Sequence, residues 1–549
     1  MDQLPVLIVG AGPTGLAMAC NLVRYGVKFR IVESASTPSI YSRAIGIQPR
    51  TLEYFHDLGV SDQLIAEGRK IYVVNGYVEG EKAFQLVTHT LERFSTQFPF
   101  LLSVPQSKTE KILEEKLNSF GIKVERGVSF ETVEEREGLK VRLRLSDGKE
   151  ELIDPIYLIA CDGAHSQVRK SLNIEFKGHQ DPHLFLLADL SLDWKYSDDA
   201  VHFFLGKKGT FGFIPLPGSK LFRFVSPLNV NESNLEPSFD LLKRVLKERG
   251  FWDKITINNV EWLSPFTVQY RSTLCFRNGN IFFLGDAAHI HSPVGGQGMN
   301  LGIQDAANLS WKLAIVLQNY GRKELLESYN WERRPIAQKV LRGTEVATNI
   351  VAIKFILFRW FRNAALRLIG KFRAFSVAIT GRVSQLKHSY RESYVSYNYQ
   401  IPFIKGWYSF RSAPIGGDRM PDTGSLRLKN DEKIYYLNSI LKEPTHHLLI
   451  FLGQNFIDEI PEEYYQLVSN LKYYYGTLII PHLVVPFGQF PFPHSWKRSV
   501  IYDPEQRMHI KFGASTPCLY LIRPDKHISF RSHPVDEEAL FRYLDQIFY

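Results

Sequence analysis

The stretch Ile281 to Leu317, IFFLGDAAHIHSPVGGQGMNLGIQDAANLSWKLAIVL, decides the fold of this chain. Four consecutive apolar residues, Ile281 to Leu284, run into Gly285-Asp286, the pattern of a strand buried on both faces of a parallel sheet. Gly295, Gly296 and Gly298 follow; with no side chains they let backbone N–H groups approach a ligand closely. A helix starting near Asn300 then points its positive dipole end and free amides at whatever fills the loop. Asp286, at the carboxyl end of the strand, is placed to accept hydrogen bonds from sugar hydroxyls. The stretch describes a strand–loop–helix site for an anion or a nucleotide.

The N-terminal run LPVLIVGAGPTGLAMACNLVRYGVKFRIVES carries a second such unit. Val6 to Val9 form a strand, Gly10-Ala11-Gly12-Pro13-Thr14-Gly15 the turn, a helix reaches about Tyr25, and Lys28 to Val32 form a strand ending in Glu33. This is the complete GxGxxG pattern with an acid about 20 residues further on. Gly10 makes the turn, Gly12 admits a pyrophosphate, and Gly15 lets helix and strand approach. Pro13 suits a first helical turn. Glu33 accepts from a ribose 2′-hydroxyl and repels a 2′-phosphate, which favours the ADP half of FAD or NAD. A third unit, CDGAHSQVRKSL from Cys161 to Leu172, follows the apolar run Ile156 to Ala160. Alone, it reads equally well as a turn capped by Asp162.

Taken together, GAGPTG with its Glu33, DGAHSQVR and GDAAHIHSPVGGQGMN resemble the single-component FAD-dependent aromatic hydroxylases, the para-hydroxybenzoate hydroxylase fold group, over most of the first 345 residues. The resemblance implies an α/β protein with a Rossmann-like FAD-binding domain interleaved with an antiparallel-sheet substrate domain. It implies non-covalent FAD held by Gly10, Gly12, Pro13, Thr14, Gly15 and Glu33. Arg43, Gln106, Asp162, Asp286, Pro293, Gly298, Met299 and Asn300 complete that set. NADPH or NADH is then a transient co-substrate, O2 the oxidant and an aromatic molecule, phenolic or polycyclic, the substrate. A single GxGxxG separates the chain from Baeyer–Villiger and N-hydroxylating monooxygenases, which carry two. No activating base is identified; Arg43, Tyr270, Arg271 and Pro293 are the candidates nearest the chemistry. Phe211, Phe213 and Tyr270 either line the substrate cavity or belong to the core. Three rivals stay open: epoxidation or Baeyer–Villiger insertion on a polyketide or drug-like compound, a non-catalytic or ligand-sequestering flavoprotein, and a halogenase. The last lacks its Trp-x-Trp-x-Ile-Pro segment.

At roughly 150 residues per domain, 549 residues imply three or four domains or subdomains. Residues 1–72, 101–175 and 276–345 form the expected FAD domain, and 73–100 and 176–275 the sheet domain. A basic helical segment spans 346–411 and a Pro/Gly-rich linker 412–425. Residues 426–549 follow the strand and helix order of the thioredoxin-like C-terminal domain of the phenol hydroxylase subgroup, which GDRMPD and LIRPDKHISFR also resemble. Cys518 stands there without a redox partner, so the domain is read as scaffold or dimer contact. Four scattered cysteines, with no CxxC, imply a reducing, cytoplasmic setting. Neither a signal peptide nor a membrane span is expected. His289 and His291, two apart and without a third ligand nearby, read as packing residues and not as a metal site. Residues 346–391 hold nine Lys or Arg and no acid, against a formal net charge of +9 for the whole chain. The favoured reading is a pair of helices packed on the FAD domain or on a second copy, the chain being a monomer or homodimer. Peripheral membrane contact is the lesser reading, and no nucleic-acid partner is expected.

Overall fold

The computed structural model describes the chain except for residues 1–2, 40–43, 230–231, 233–235, 293–294, 352–355, 430, 456–458 and 487–498. Strands Ile281–Phe283, Tyr157–Ala160, Val6–Val9 and Phe29–Glu33 run parallel and adjacent, with Val9 level with both Ala160 and Val32. The apolar runs of the inner strands are buried throughout, sharing one core with the helix Pro13–Arg24 and with a small antiparallel sheet of Ser129–Glu135, Leu139–Arg144 and Glu150–Ile153. Their shared direction brings the residues that follow them, Gly10, Cys161-Asp162 and Leu284 to Asp286, to one edge of the sheet, where open α/β sheets bind ligands.

A second sheet has eight strands in the order His289–Ile290, Ile255–Thr273, Phe176–Trp194, Leu221–Pro227, Gly209–Pro215, Ala200–Gly206, Val73–Val78 and Glu81–Val87. It is antiparallel except between Ala200–Gly206 and Val73–Val78, which pair in parallel. Its outermost strand, His289–Ile290, continues directly from the Gly285-Asp286 turn, so one short segment joins the two sheets. A helix, Phe239–Glu248, interrupts the run of strands expected over 176–275. Ser238 caps it, its hydroxyl accepting from the Leu241 amide at 3.2 Å. Leu241, Leu242, Val245 and Leu246 pack beneath the sheet against Phe211, Phe213, Phe222 and Phe224.

The third sheet, also of eight strands, lies in the C-terminal part. Its centre runs Ile528–His533, Cys518–Ile522, His446–Phe451 and Ile479–Val485. His446–Phe451 and Ile479–Val485 are parallel and connected through the helix Glu462–Tyr475, whereas Cys518–Ile522 is antiparallel to both neighbours. Two expectations need correction. The segment 346–411 is not wholly helical, because Tyr397–Gln400 adds a parallel strand beside Ile528–His533. The stretch 412–425 is no loose linker: Met420 and Asp422 are buried, and the Arg419 guanidinium reaches the Glu53 carboxylate at 3.0 Å. Its prolines and glycines shape a packed path, and a buried carboxylate–guanidinium pair anchors it.

The C-terminal sheet is welded to the rest of the chain. Trp311, Ile315 and Leu325 share one apolar core with Leu448, Leu483 and Leu540. Beside it, Glu332 receives Lys312 at 2.7 Å, Arg523 at 2.6 Å and the Asn308 amide at 2.6 Å, with all three charged side chains fully buried. Burial favours a neutral acid, but the Arg523 and Lys312 charges outweigh it and hold the Glu332 carboxyl down to about 2.

Candidate active site

The three glycine-bearing motifs meet at the sheet edge, and their glycines are required by contact. Gly10 sits at φ +101°, and a Cβ there would lie 2.4 Å from the Cys161 carbonyl oxygen. A Cβ on Gly15 would lie 1.9 Å from the Gly10 carbonyl oxygen, so this glycine seats the helix Pro13–Arg24 on the strand. Gly12 differs: a Cβ there would meet nothing within 4 Å, so the backbone faces open room that a pyrophosphate fits. Gly12 also opens that helix, and no side chain caps its first amides. Glu33, at the end of its strand, accepts from the Ala11 amide at 2.8 Å and the Ala35 amide at 2.9 Å. The carboxylate thus stands beside the turn, where a ribose would lie.

The helix Gly298–Leu317 begins two residues earlier than the sequence suggests, taking in Gly298 and Met299. Its first turn also lacks a side-chain cap, leaving amides and dipole for an anionic group. It crosses the first helix closely, since a Cβ on Gly302 would lie 2.2 Å from Thr14 Oγ1. Thr14 is therefore a packing contact between the two motifs. Asn300 is fully buried; its amide group donates to the Gly46 and Gly296 carbonyls at 2.8 and 2.7 Å, and its oxygen accepts from the Gln48 amide at 2.8 Å. That side chain fixes the glycine loop against the strand Gly46–Ile47, which leaves backbone amides for any ligand. Gln106 opens a helix, as its residue type allows, and its oxygen accepts from the Ala44 amide at 3.3 Å. Arg43 and Pro293 lie outside the described residues.

Asp162 does two things. One oxygen caps the short helix Gln167–Ser171, accepting from the Gln167 and Val168 amides at 2.7 and 3.1 Å. The other is buried and has no hydrogen-bond partner among the described residues, the state of an acceptor suited to a ligand hydroxyl. Asp286 lies exposed on a single 3-10 turn, Gly285–Ala287. Two residues that the sequence reading passed over hold that turn. Asp305, fully buried, accepts from the Gly285 amide at 3.1 Å, from His289 Nε2 at 2.8 Å and from Arg333 at 2.7 Å. Arg169 donates to the Ala287 carbonyl at 2.9 Å and stacks on Phe176 with its guanidinium carbon 3.9 Å from the ring centre. Their signals were present, an acid inside an apolar helix and an arginine inside DGAHSQVR, but only the fold supplies their partners. His289 is thereby a strut for the turn. His291 donates to the Ser292 carbonyl at 2.9 Å.

The substrate-side candidates divide. Phe211 and Phe213 are core residues, packed under the sheet against the helix Phe239–Glu248, and do not line a cavity on its other face. Tyr270 is also buried, in a cluster with Phe185 and Val268. Burial raises its phenol pKa, opposed by Thr348 and Ser292, so at neutral pH it is a protonated phenol and a poor base. Arg271 pairs through its backbone with Ile290, beside the joining segment, and its side chain reaches the Phe176 carbonyl at 3.4 Å. An open cavity of about 630 Å³ lined by Arg93, Lys387, Arg391 and Arg419 involves none of the three motifs and is not the nucleotide cradle.

The cradle has the features that an FAD demands: an open glycine, two uncapped helix starts, a ribose-side acid and an orphan acceptor. Known proteins agree. The family model described as an FAD binding domain matches residues 3–344. The chain is 36% identical over 357 residues to the 6-methylpretetramide 4-monooxygenase of Streptomyces rimosus, covering 64% of this chain and 63% of that protein. It is 32% identical over 423 residues to the pentachlorophenol 4-monooxygenase of Sphingobium chlorophenolicum, covering 76% and 75% of the two chains. The solved anhydrotetracycline hydroxylase of Streptomyces rimosus superposes with a TM-score of 0.74 at 26% identity over 100% of this chain and 99% of that one. The flavin-dependent monooxygenase PieE, solved with FAD and substrate, shares the fold at a TM-score of 0.79, 19% identity and 99% coverage of both chains. The chain belongs to the FAD-binding family of the flavin-dependent aromatic monooxygenases.

Proposed function

We propose that this chain uses NADPH or NADH and O2 to hydroxylate an aromatic substrate, phenolic or polycyclic. The observation that carries the reading is the meeting of the three motifs at one cradle, joined by the segment His289–Ile290 to the eight-stranded sheet. The relatives named above act on a pretetramide and on a chlorinated phenol, which brackets the substrate class. The chemistry that FAD supplies when bound is hydride acceptance from a nicotinamide and activation of O2. The residues present would hold it at Gly12, Glu33, Asp162, Asp286 and the start of the helix Gly298–Leu317. That helix start favours negative charge next to its free amides. Tyr270, kept protonated by burial, is not the proton acceptor. The purified protein should release FAD on denaturation and oxidise NADPH or NADH faster when a suitable phenol or tetracyclic phenol is added. The product should gain one oxygen with its carbon skeleton intact. Ring expansion would indicate Baeyer–Villiger insertion; no ligand-stimulated oxidation across both classes would sink the enzymatic reading.

Asp286 is proposed to accept hydrogen bonds from the flavin side chain. Losing one charge-assisted hydrogen bond costs roughly 1.5–3 kcal/mol, so Asp286→Ala should weaken FAD binding by about tenfold or more with the fold intact. Flavin titration of the apoprotein measures this, and an unchanged affinity would place the turn elsewhere.

We also propose that the C-terminal part is a thioredoxin-like scaffold without redox activity. Its central strand order and its helix between parallel strands support this. Cys518 is fully buried in its strand, and burial pushes its thiol far above the ordinary value, so it is an inert thiol. Cys518→Ser should leave turnover unchanged and insulin reduction should be nil. Deleting 426–549 should instead give insoluble protein, because it exposes the core around Trp311. Loss of turnover in a folded Cys518→Ser protein would overturn the scaffold assignment.

A further inference from the structure

The helix Ile356–Ile369 is mounted with its apolar side outward. Leu357, Phe358, Trp360, Phe361, Leu368 and Ile369 are all exposed, from 46% for Ile369 to 70% for Leu357. At 100° per residue these positions, with Ala364 and Ala365 between them, fill about half of the helix circumference without one charged residue. The polar residues face inward. Asn363 donates to Glu79, Arg367 reaches the Val78 carbonyl and pairs with Glu81 at 3.1 Å, and Arg359 donates to the Lys207 carbonyl at 2.9 Å. Arg362 is buried and donates to the Asn363 oxygen and the Ile350 carbonyl. These contacts hold the helix on the edge strand Glu81–Val87 and prevent it from rolling its aromatic face into the core. The helix thus meets the rest of the chain through its polar side.

Each of the large exposed side chains presents on the order of 100 Å². Together they equal or exceed the largest apolar patch of an ordinary monomer, roughly 300–600 Å². Something covers this face. Exposed Lys371 and Arg373 follow the helix, exposed Lys207 and Lys208 lie beside Arg359, and residues 346–391 contain no acid. A second copy docked through the same face would offer Lys371 and Arg373 no acid from its own residues 346–391 to pair with. An anionic lipid surface meets both features: aromatic side chains enter the headgroup boundary while the flanking cations contact lipid charge. Among the described residues no helix is long and apolar enough to cross a membrane, so the contact lies in the plane of the surface.

We propose that the face of Ile356–Ile369, flanked by Lys371 and Arg373, docks this enzyme on anionic lipid bilayers. The test is sedimentation of the full-length, flavin-loaded protein with phosphatidylcholine vesicles, with and without phosphatidylglycerol. The protein should partition onto the anionic vesicles and be released by salt. The double variant Trp360→Ser, Phe361→Ser should lower partitioning by roughly tenfold or more. The double variant Lys371→Glu, Arg373→Glu should lower it on anionic vesicles only, and both should keep the flavin absorbance of the parent, which guards against misfolding. Failure to bind either vesicle, or parent-like binding by both variants, overturns the proposal. Equal binding to neutral vesicles overturns the assignment to an anionic surface. A dimer in light scattering that Trp360→Ser, Phe361→Ser converts to monomer, without vesicle binding, makes the face a contact between copies and sinks the lipid assignment.

Discussion

Glu332→Ala will destabilise the whole chain by about 3–5 kcal/mol, the cost of breaking a buried ion pair by removing one partner. The substitution leaves Lys312 and Arg523, both fully buried, without the carboxylate that each contacts at 2.6–2.7 Å. Asp525 still pairs with Arg523, whereas the ammonium of Lys312 keeps only the Asn308 oxygen at 2.9 Å. Burial already lowers the Lys312 pKa to about 8 even with Glu332 opposing it, so removing Glu332 will push it lower and drive the lysine toward the neutral amine. Denaturant unfolding should show the loss as a lower midpoint. Replacing Lys312 and Glu332 together by Met and Leu should cost much less than the single change, since Arg523 keeps its pairing with Asp525 and no lysine charge is stranded. If Glu332→Ala unfolds at the parental midpoint, the network does not weld the C-terminal sheet to the helix Gly298–Leu317.

Acid will unfold the protein from its C-terminal sheet, beginning below about pH 6.5. His446, His482 and His527 are buried, and burial lowers their imidazole pKa values to about 3, 3 and 4. The unfolded chain takes up protons near the ordinary imidazole value of 6.5, and the folded chain does not until the lower values are reached. The stability that these neutral rings contribute is therefore present above pH 6.5 and is lost as pH falls toward 3–4. The geometry requires neutrality. His447 Nε2 donates to the Glu443 carbonyl at 3.0 Å, so its Nδ1 accepts from His482 Nε2 at 2.9 Å, and His482 Nδ1 accepts from Ser499 at 2.8 Å. A further proton on either ring turns an acceptor into a donor facing a donor. At about pH 5 each of the three shifted histidines costs about 2 kcal/mol, which together approaches the stability of an ordinary domain. Thermal melts between about pH 7.5 and 5 should fall steeply. The pair of substitutions His447→Leu and His482→Leu should flatten that slope. A melting temperature independent of pH over this range would contradict the neutral-ring assignment.

The nucleotide cradle was legible in the sequence because its causes are local. A turn that needs φ near +100° at Gly10, an approach that tolerates no Cβ at Gly15 and an open backbone at Gly12 are written in residue types at fixed spacing. The strand before and the helix after each turn follow from apolar runs and periodicity, so three motifs at one sheet edge could be anticipated from parallel strand direction alone. What could not be read locally is which surface each apolar or charged residue meets. Phe211 and Phe213 look the same in a strand whether they face a pocket or the helix Phe239–Glu248, and only that helix made them core. Asp305, Arg169 and Glu332 gained their roles from partners 16 to 191 positions away. The chain at 412–425, composed like a linker, is packed because Glu53 waits for Arg419. The helix Ile356–Ile369 shows the division most plainly. Its composition announced apolar and basic residues, but which side faces solvent was set by the tertiary anchors Glu79, Glu81 and the Lys207 carbonyl, which capture its polar side and leave its aromatic side outward.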